Sequence, residues 1–237
     1  MRPKPLVEIG GRPVLWHIMK LYSAYGLNEF IICCGYKGYL IKEYFANYSL
    51  HMSDVTIDMR ANSTVVHQRH AEPWSVTLVD TGEETATGGR LRRIRAYLNE
   101  EDFCMTYGDA VGDVDISALI RFARKSGTPA TVTTAHPPGR FGVLTVNHDK
   151  ITSFREKPPD ESGWVSCGYF VLSAKVIDYI PNDNTSWERE PLERLARENN
   201  LAAYVHPGYW QPLDTLRDKI LLNQLWDSGK APWKVWH

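Results

Sequence analysis

The chain has 237 residues, 43% of them apolar, which is enough to bury a sizeable core. Lys and Arg number 27 against 28 Asp and Glu, so a net charge of -1 leaves no broad basic field for nucleic acid or an anionic membrane. Any phosphate site must therefore be local. The N-terminus carries no apolar signal region and no run approaches membrane-spanning length, so the expected compartment is the cytoplasm and no membrane partner is expected. Cys33, Cys34, Cys104 and Cys167 sit in or beside apolar strand-like runs without a C-x-x-C pair, and read as reduced core residues. His67 and His70 lie in a polar stretch and read as surface or strand-edge side chains rather than zinc ligands.

In chain order, Pro3-Lys4-Pro5 comes first. Two prolines keep that segment extended and fix where the ammonium points. Pro13 suits a first helical position, Val14 to Tyr25 has helical spacing, and Gly26 stops it. Phe30 to Cys34 reads as a strand and Tyr39 to Tyr48 as a second amphipathic helix, an alternation that implies a parallel sheet with crossover helices. From about 47 to 74 the pattern loosens into short runs such as Val55-Thr56-Ile57 and Thr64-Val65-Val66, which predict a hairpin or inserted arm outside the main sheet. Ser75 to Val79 returns to strand character. Thr87-Gly88-Gly89 then precedes a helix running to Leu98, where a glycine pair frees backbone N–H groups for a ligand or simply forms a loop.

Phe103-Cys104-Met105-Thr106-Tyr107-Gly108-Asp109 reads as a buried strand that delivers one carboxylate to the end of a sheet. Ligands of open α/β sheets lie beyond the carboxyl ends of the strands, and an Asp there can hold a hard divalent cation against phosphate oxygens. Further on, Ile116 to Arg124, Ala174 to Ile180, Pro191 to Asn199 and Thr215 to Trp226 read as helices. Ala130 to Thr134, Val143 to Val146, Ile151 to Phe154, Gly168 to Leu172 and Leu201 to Val205 read as strands. No internal repeat or low-complexity linker divides residues 1–237, so one α/β domain is expected.

Asp109 and Asp214 both follow strand-like runs, and Lys4 and Lys157 each adjoin a proline. Two carboxylates and two lysines at one sheet edge suit metal-assisted phosphoryl or nucleotidyl transfer, in which a cation bridges phosphate oxygens and lysines offset developing charge. A Glu156-Lys157 pair is more often a solvated, salt-bridged surface. Two other patterns compete. Asp80-Thr81-Gly82 has the form of an aspartic-protease tripeptide, but no second copy supplies the partner carboxylate. Asp113-Val114-Asp115 is a D-x-D pattern of the kind that binds metal in nucleotide-sugar glycosyltransferases, and it stands as the serious alternative.

Taken together, Pro3-Lys4-Pro5, Val7-Glu8-Ile9-Gly10-Gly11, Tyr107-Gly108-Asp109, Pro138-Gly139-Arg140-Phe141-Gly142, Glu156-Lys157-Pro158 and Trp210-Gln211-Pro212-Leu213-Asp214-Thr215 resemble the sugar-1-phosphate nucleotidylyltransferases. The resemblance covers essentially the whole chain, and the 47–74 arm is similar to that of the cytidylyl branch. It implies a doubly wound, mostly parallel mixed sheet, Mg²⁺ held by Asp109 and Asp214, Lys4 on the nucleotide phosphates and Lys157 on the sugar phosphate. It also implies Glu156 and Gly142 at glucose hydroxyls and Thr87, Gly88 and Gly89 near the base. CTP and glucose 1-phosphate would be the substrates, CDP-glucose for dideoxysugar and O-antigen synthesis the product, and a homo-oligomer the assembly.

Family members begin with a hydrophobic strand and a G-G-x-G-T-R loop, whereas here Met1-Arg2-Pro3 leads directly to Lys4. The expectation is a sheet without its first strand. It belongs either to a truncated or mis-called start of an active enzyme, or to a degenerate, non-catalytic homologue that binds nucleotide-sugar or a partner subunit.

Overall fold

A computed structural model describes residues 2–99, 101–136, 143–147, 150–155 and 163–236, without the side chains of 69, 143–147 and 150–155. A single 3-10 turn at Lys4–Leu6 leads to β1 (Glu8–Ile9) and β2 (Arg12–Pro13), which form a hairpin. Gly10 and Gly11, at φ 57° and 74°, supply the left-handed turn that matches the strand twist. α1 (Val14–Ala24) is buried along most of its length, because Val14, Ile18, Leu21 and Tyr22 pack into one core while Leu15 and Met19 pack into another.

β3 (Glu29–Cys34) and α2 (Gly38–Ala46) follow, and a separate turn, α3 (Tyr48–His51), completes what the pattern presents as one helix. The arm is the expected hairpin. β4 (Ser53–Asp58) pairs antiparallel with β5 (Ser63–Arg69) and makes no ladder to other described strands. β6 (Ser75–Asp80) returns parallel to β3, and α4 (Thr87–Arg93) follows it.

β7 (Asp102–Thr106), β8 (Ala110–Gly112) and α5 (Ile116–Ser126) come next, then β9 (Ala130–Ala135) and a hairpin of β10 (Val143–Asn147) with β11 (Lys150–Arg155). After β12 (Val165–Ser173), Ala174–Tyr179 is 3-10 rather than α-helical. α6 (Glu190–Arg197), β13 (Leu201–Val205), β14 (Trp210–Pro212) and α7 (Leu216–Asp227) complete the chain. A four-stranded sheet has the order β13-β9-β12-β7, in which β7, β9 and β13 share a direction and β12 opposes them. The fold is therefore α/β with a mixed sheet.

Among the described residues β3 pairs only with β6, and β7 only with β12. Phe30 and Cys104 nevertheless pack on one core, and Ile31, Cys33, Phe103 and Met105 on the other, so β3 and β7 lie in one layer. The four cysteines are free, and burial pushes the thiols of Cys33 and Cys104 up to about 11 and that of Cys167 to about 12, so they serve as packing groups. His67 and His70 are exposed.

The C-terminal segment is pinned behind the Lys4 turn. Trp233 Nε1, which can only donate, points at His17 Nδ1 at 3.3 Å, so His17 Nε2 carries the proton that it donates to Ile9 O at 2.9 Å. Burial pushes this imidazole down from 6.5 to about 4. Because the folded value is depressed, protonation favours the unfolded chain, and stability is complete above pH 6.5 and falls as pH drops toward about 4. Urea titrations at pH 7 and pH 4 are expected to show a His17-dependent loss of up to about 3 kcal/mol, which His17→Gln lacks.

Candidate active site

β7 carries its chain out of the core and ends in Tyr107-Gly108-Asp109. A Cβ on Gly108 would lie 2.9 Å from Pro5 Cγ, so the glycine lets the Pro3-Lys4-Pro5 turn sit directly on the strand end. That turn is closed by Leu6 N donating to Pro3 O at 2.9 Å and is anchored by the buried Leu6. Lys4 Nζ consequently reaches Asp109 Oδ2 at 3.3 Å and Asp214 Oδ1 at 3.0 Å. The hydrogen bond to Asp214 is the main reason that the Lys4 ammonium is held above its ordinary range, followed by an opposing effect of burial and then by Asp109.

Asp214 arrives from the other end of the chain. β14 pairs antiparallel with β8, and Leu213 N donates to Asp109 O at 2.8 Å, so the two aspartates stand at adjacent ends of one short ladder. Behind them Asp218 is buried. Its Oδ2 accepts from Asp214 N at 3.2 Å, Thr215 N at 2.9 Å and Thr215 Oγ1 at 2.8 Å, and its Oδ1 accepts from Gln211 Nε2 at 3.0 Å. The same residues form the capping box that opens α7. Asp218→Ala is expected to lower stability by about 2 kcal/mol, read by denaturant titration, and to weaken divalent-cation binding through the loosened Asp214.

A cleft of about 320 Å³ opens between Tyr107, Asp109, Ser166, Gly168, Trp210 and Asp214. Trp210 lines it, and its buried Nε1 has no hydrogen-bond partner among the described residues. The chemistry of the donors suits a hard cation, since two carboxylates already converge on a single ammonium. Among the described residues no cluster of three or more His, Cys, Asp or Glu forms a complete protein cage. A divalent ion would therefore complete its shell with water and substrate phosphate oxygens, as Mg²⁺ prefers.

Thr87, Gly88 and Gly89 open α4, at the carboxyl end of β6. Cβ atoms on Gly88 and Gly89 would lie 2.6 Å from Thr185 O and 2.3 Å from Asp183 O. Gly89 N donates to Thr185 O at 3.2 Å, so this amide is spent inside the protein and is not a freed donor. The glycine pair serves backbone-to-backbone docking of the 183–188 segment. Thr87 Oγ1 donates to Glu188 Oε2 at 2.6 Å, and Tyr107 Oη donates to Glu188 Oε1 at 2.6 Å. Burial works to raise the Glu188 carboxyl, but bonds from Thr87, Tyr107 and Ser186 outweigh it and hold it below the usual glutamate range. Burial, then the bond to Glu188, pushes the Tyr107 phenol above its ordinary range.

Gly142, Glu156 and Lys157 lie outside the described residues. The structure gives both competing motifs other work. Asp113 Oδ1 accepts from Tyr209 N at 2.6 Å and lies 3.0 Å from His206 Nε2, while Asp115 caps α5 by accepting from Ala118 N at 2.8 Å. The D-x-D carboxylates thus fix a turn and a helix, which corrects the glycosyltransferase alternative. In the Asp80-Thr81-Gly82 tripeptide, Asp80 Oδ1 accepts from Gly82 N at 3.0 Å and the buried Thr81 donates to Cys34 O at 3.0 Å. Asp218 was announced only by its Thr215-x-x-Asp218 spacing, and nothing local marks Glu188.

Fold and site together are those of an α/β protein in which one lysine and two aspartates converge at a strand-end crevice. The Nucleotidyl transferase family model matches residues 1–221, and the chain belongs to that family. It is 56% identical over 237 residues to a glucose-1-phosphate cytidylyltransferase of Salmonella typhimurium, covering 100% of this chain and 92% of the relative. A probable glucose-1-phosphate cytidylyltransferase of Bacillus subtilis is 43% identical over 235 residues, covering 99% and 92%. Among solved structures, HddC of Yersinia pseudotuberculosis superposes with a TM-score of 0.68 at 22% identity, over 95% of this chain and 90% of that one. A UDP-glucose pyrophosphorylase complexed with UDP-glucose gives 0.67 at 15% identity, over 96% and 91%, so these two likenesses speak for the fold.

Proposed function

We propose that the protein transfers the cytidylyl group of CTP to α-D-glucose 1-phosphate, giving CDP-glucose and pyrophosphate. The observation that carries this reading is the convergence of Lys4, Asp109 and Asp214 in a chain 56% identical to a glucose-1-phosphate cytidylyltransferase. In the reaction a phosphate oxygen of the sugar attacks the α-phosphorus in line, the new P–O bond forms, and the bond to the β-phosphate bridging oxygen breaks. The electron pair leaves with pyrophosphate. The nucleophile is already an anion, so no side chain must take a proton, and catalysis consists of positioning and charge stabilisation.

Asp109 and Asp214 would hold Mg²⁺, which when bound neutralises charge on the triphosphate oxygens. Lys4 holds its ammonium beside both carboxylates, where the nucleotide phosphates are to lie. Lys157 is proposed for the sugar phosphate, Glu156 and Gly142 for glucose hydroxyls, and Thr87, Gly88 and Gly89 to lie near the base, without the Gly89 amide as a donor. The product would feed dideoxysugar and O-antigen synthesis in the cytoplasm. No helix among the described residues is long and apolar enough to cross a membrane.

Exposed Ile57, Met59, Val65 and Val66 on the β4–β5 hairpin support a homo-oligomer built through that arm. Pyrophosphate release from CTP, UTP and dTTP with glucose 1-phosphate and Mg²⁺ tests the assignment. Release with CTP well above the other two supports it. No release with any of them favours the non-catalytic, nucleotide-sugar-binding reading.

A further inference from the structure

We propose that Glu188 is a positioning residue for the nucleotide crevice, bracing the wall that carries Thr87 against the wall that carries Tyr107 and Asp109. The proposal rests on the nucleotidyl-transfer reading given above. The two walls belong to different sheets. Thr87 follows β6, which pairs with β3, while Tyr107 follows β7 at the edge of the four-stranded sheet, and no ladder between described strands joins the two. Among the described residues the walls share a packed core, Leu91 and Ile94 with Phe103 and Met105, and a carboxylate bonded to both walls would fix their spacing further.

Glu188 is placed to do so. Its segment is welded to the first wall by Ala86 N donating to Asp183 O at 2.9 Å, Gly89 N to Thr185 O at 3.2 Å and Trp187 N to Thr87 Oγ1 at 2.9 Å. Its carboxylate then accepts three hydroxyls, from Thr87 at 2.6 Å, Ser186 at 2.7 Å and Tyr107 at 2.6 Å. Hydroxyl bonds to an ionised acceptor at these lengths are the strong, charge-assisted kind. Tyr107 carries the link across. Its ring packs so closely on β12 that a Cβ on Gly168 would fall 2.5 Å from Cδ2, its N donates to Gly168 O at 3.3 Å, and it lines the cleft beside Asp109. Fixing the phenol thus fixes the wall next to the reacting groups.

Removing the brace should loosen binding of the nucleoside triphosphate more than it slows the chemical step. Glu188→Ala is expected to raise both KM and the equilibrium Kd for the triphosphate about tenfold, with kcat within about threefold of wild type. Glu188→Gln keeps an acceptor oxygen and should restore most of the affinity. In a Tyr107→Phe background Glu188→Ala should add little, because partners in one network are not additive. The proposal is overturned if Glu188→Ala lowers Tm while KM and Kd stay at wild-type values, if the Glu188 and Tyr107 effects simply add, or if Gln fails to rescue. Wild-type turnover with CTP tests the functional reading separately. Should the protein bind another triphosphate instead, that reading fails on its base, and the same cycle measured by equilibrium binding of the preferred triphosphate still decides Glu188.

Discussion

Asp109→Ala is expected to lower kcat for pyrophosphate release by about a thousandfold, equivalent to about 4 kcal/mol of transition-state stabilisation, and Asp214→Ala by a similar factor. The two carboxylates converge on one point, with Lys4 Nζ 3.3 Å from the first and 3.0 Å from the second. Loss of either leaves a divalent ion with one protein ligand among the described pair. The metal-concentration dependence should move with it, toward higher Mg²⁺ for half-maximal rate. Asp113→Ala provides the contrast, since its carboxylate is engaged by Tyr209 N and His206 and its loss should reduce stability while leaving the metal requirement intact. Equal metal dependence in wild type and Asp109→Ala would sink the assignment of the ion to this pair.

Lys4→Ala is expected to cost about a hundredfold in kcat, near 2.7 kcal/mol, the usual scale for removing one charged donor aimed at developing negative charge. Lys4→Arg should recover little. The Pro3-Lys4-Pro5 turn packs on Gly108, which fixes the stem of the side chain, and a planar guanidinium is larger than the compact ammonium that fits between the two carboxylates. The pH dependence follows from the raised Lys4 value. A lysine held above its ordinary range contributes stability that is complete below about 10.4, its usual value, and is lost only as pH rises through the higher folded value. Titration of Lys4 is thus not expected to shape the pH–rate profile between pH 6 and 9. The Lys4→Ala and wild-type profiles should have the same shape there, differing in height.

Periodicity and turn chemistry made most elements readable. Val14–Ala24, Ile116–Ser126 and Leu216–Asp227 carry apolar residues at helical spacing, and the runs at Glu29–Cys34, Ser75–Asp80 and Ala130–Ala135 are apolar or β-branched as buried strands are. The pieces that escaped are short. The Glu8–Ile9 and Arg12–Pro13 hairpin, Ala110–Gly112 and Trp210–Pro212 are two or three residues each, too brief for any period to register. The last two are nevertheless the strands that bring Asp109 and Asp214 together.

The residues, with the family resemblance they carry, pointed to a class of chemistry. A proline-flanked lysine and two strand-end aspartates are residue types whose charge and presentation are local properties, so Lys4, Asp109 and Asp214 could be named before any contact was known. Tertiary structure decided which carboxylates are available. Asp113 and Asp109 look alike along the chain, but Asp113 is taken up by the backbone of a turn 96 residues away, while Asp109 is left facing Lys4 and Asp214. It also decided that Gly88 and Gly89 are small because Asp183 and Thr185 press against them, and that Glu188 gathers three hydroxyls. Such partners meet only when the sheet is assembled, because long-range contacts depend on where distant segments cross and leave no periodic signal within either one.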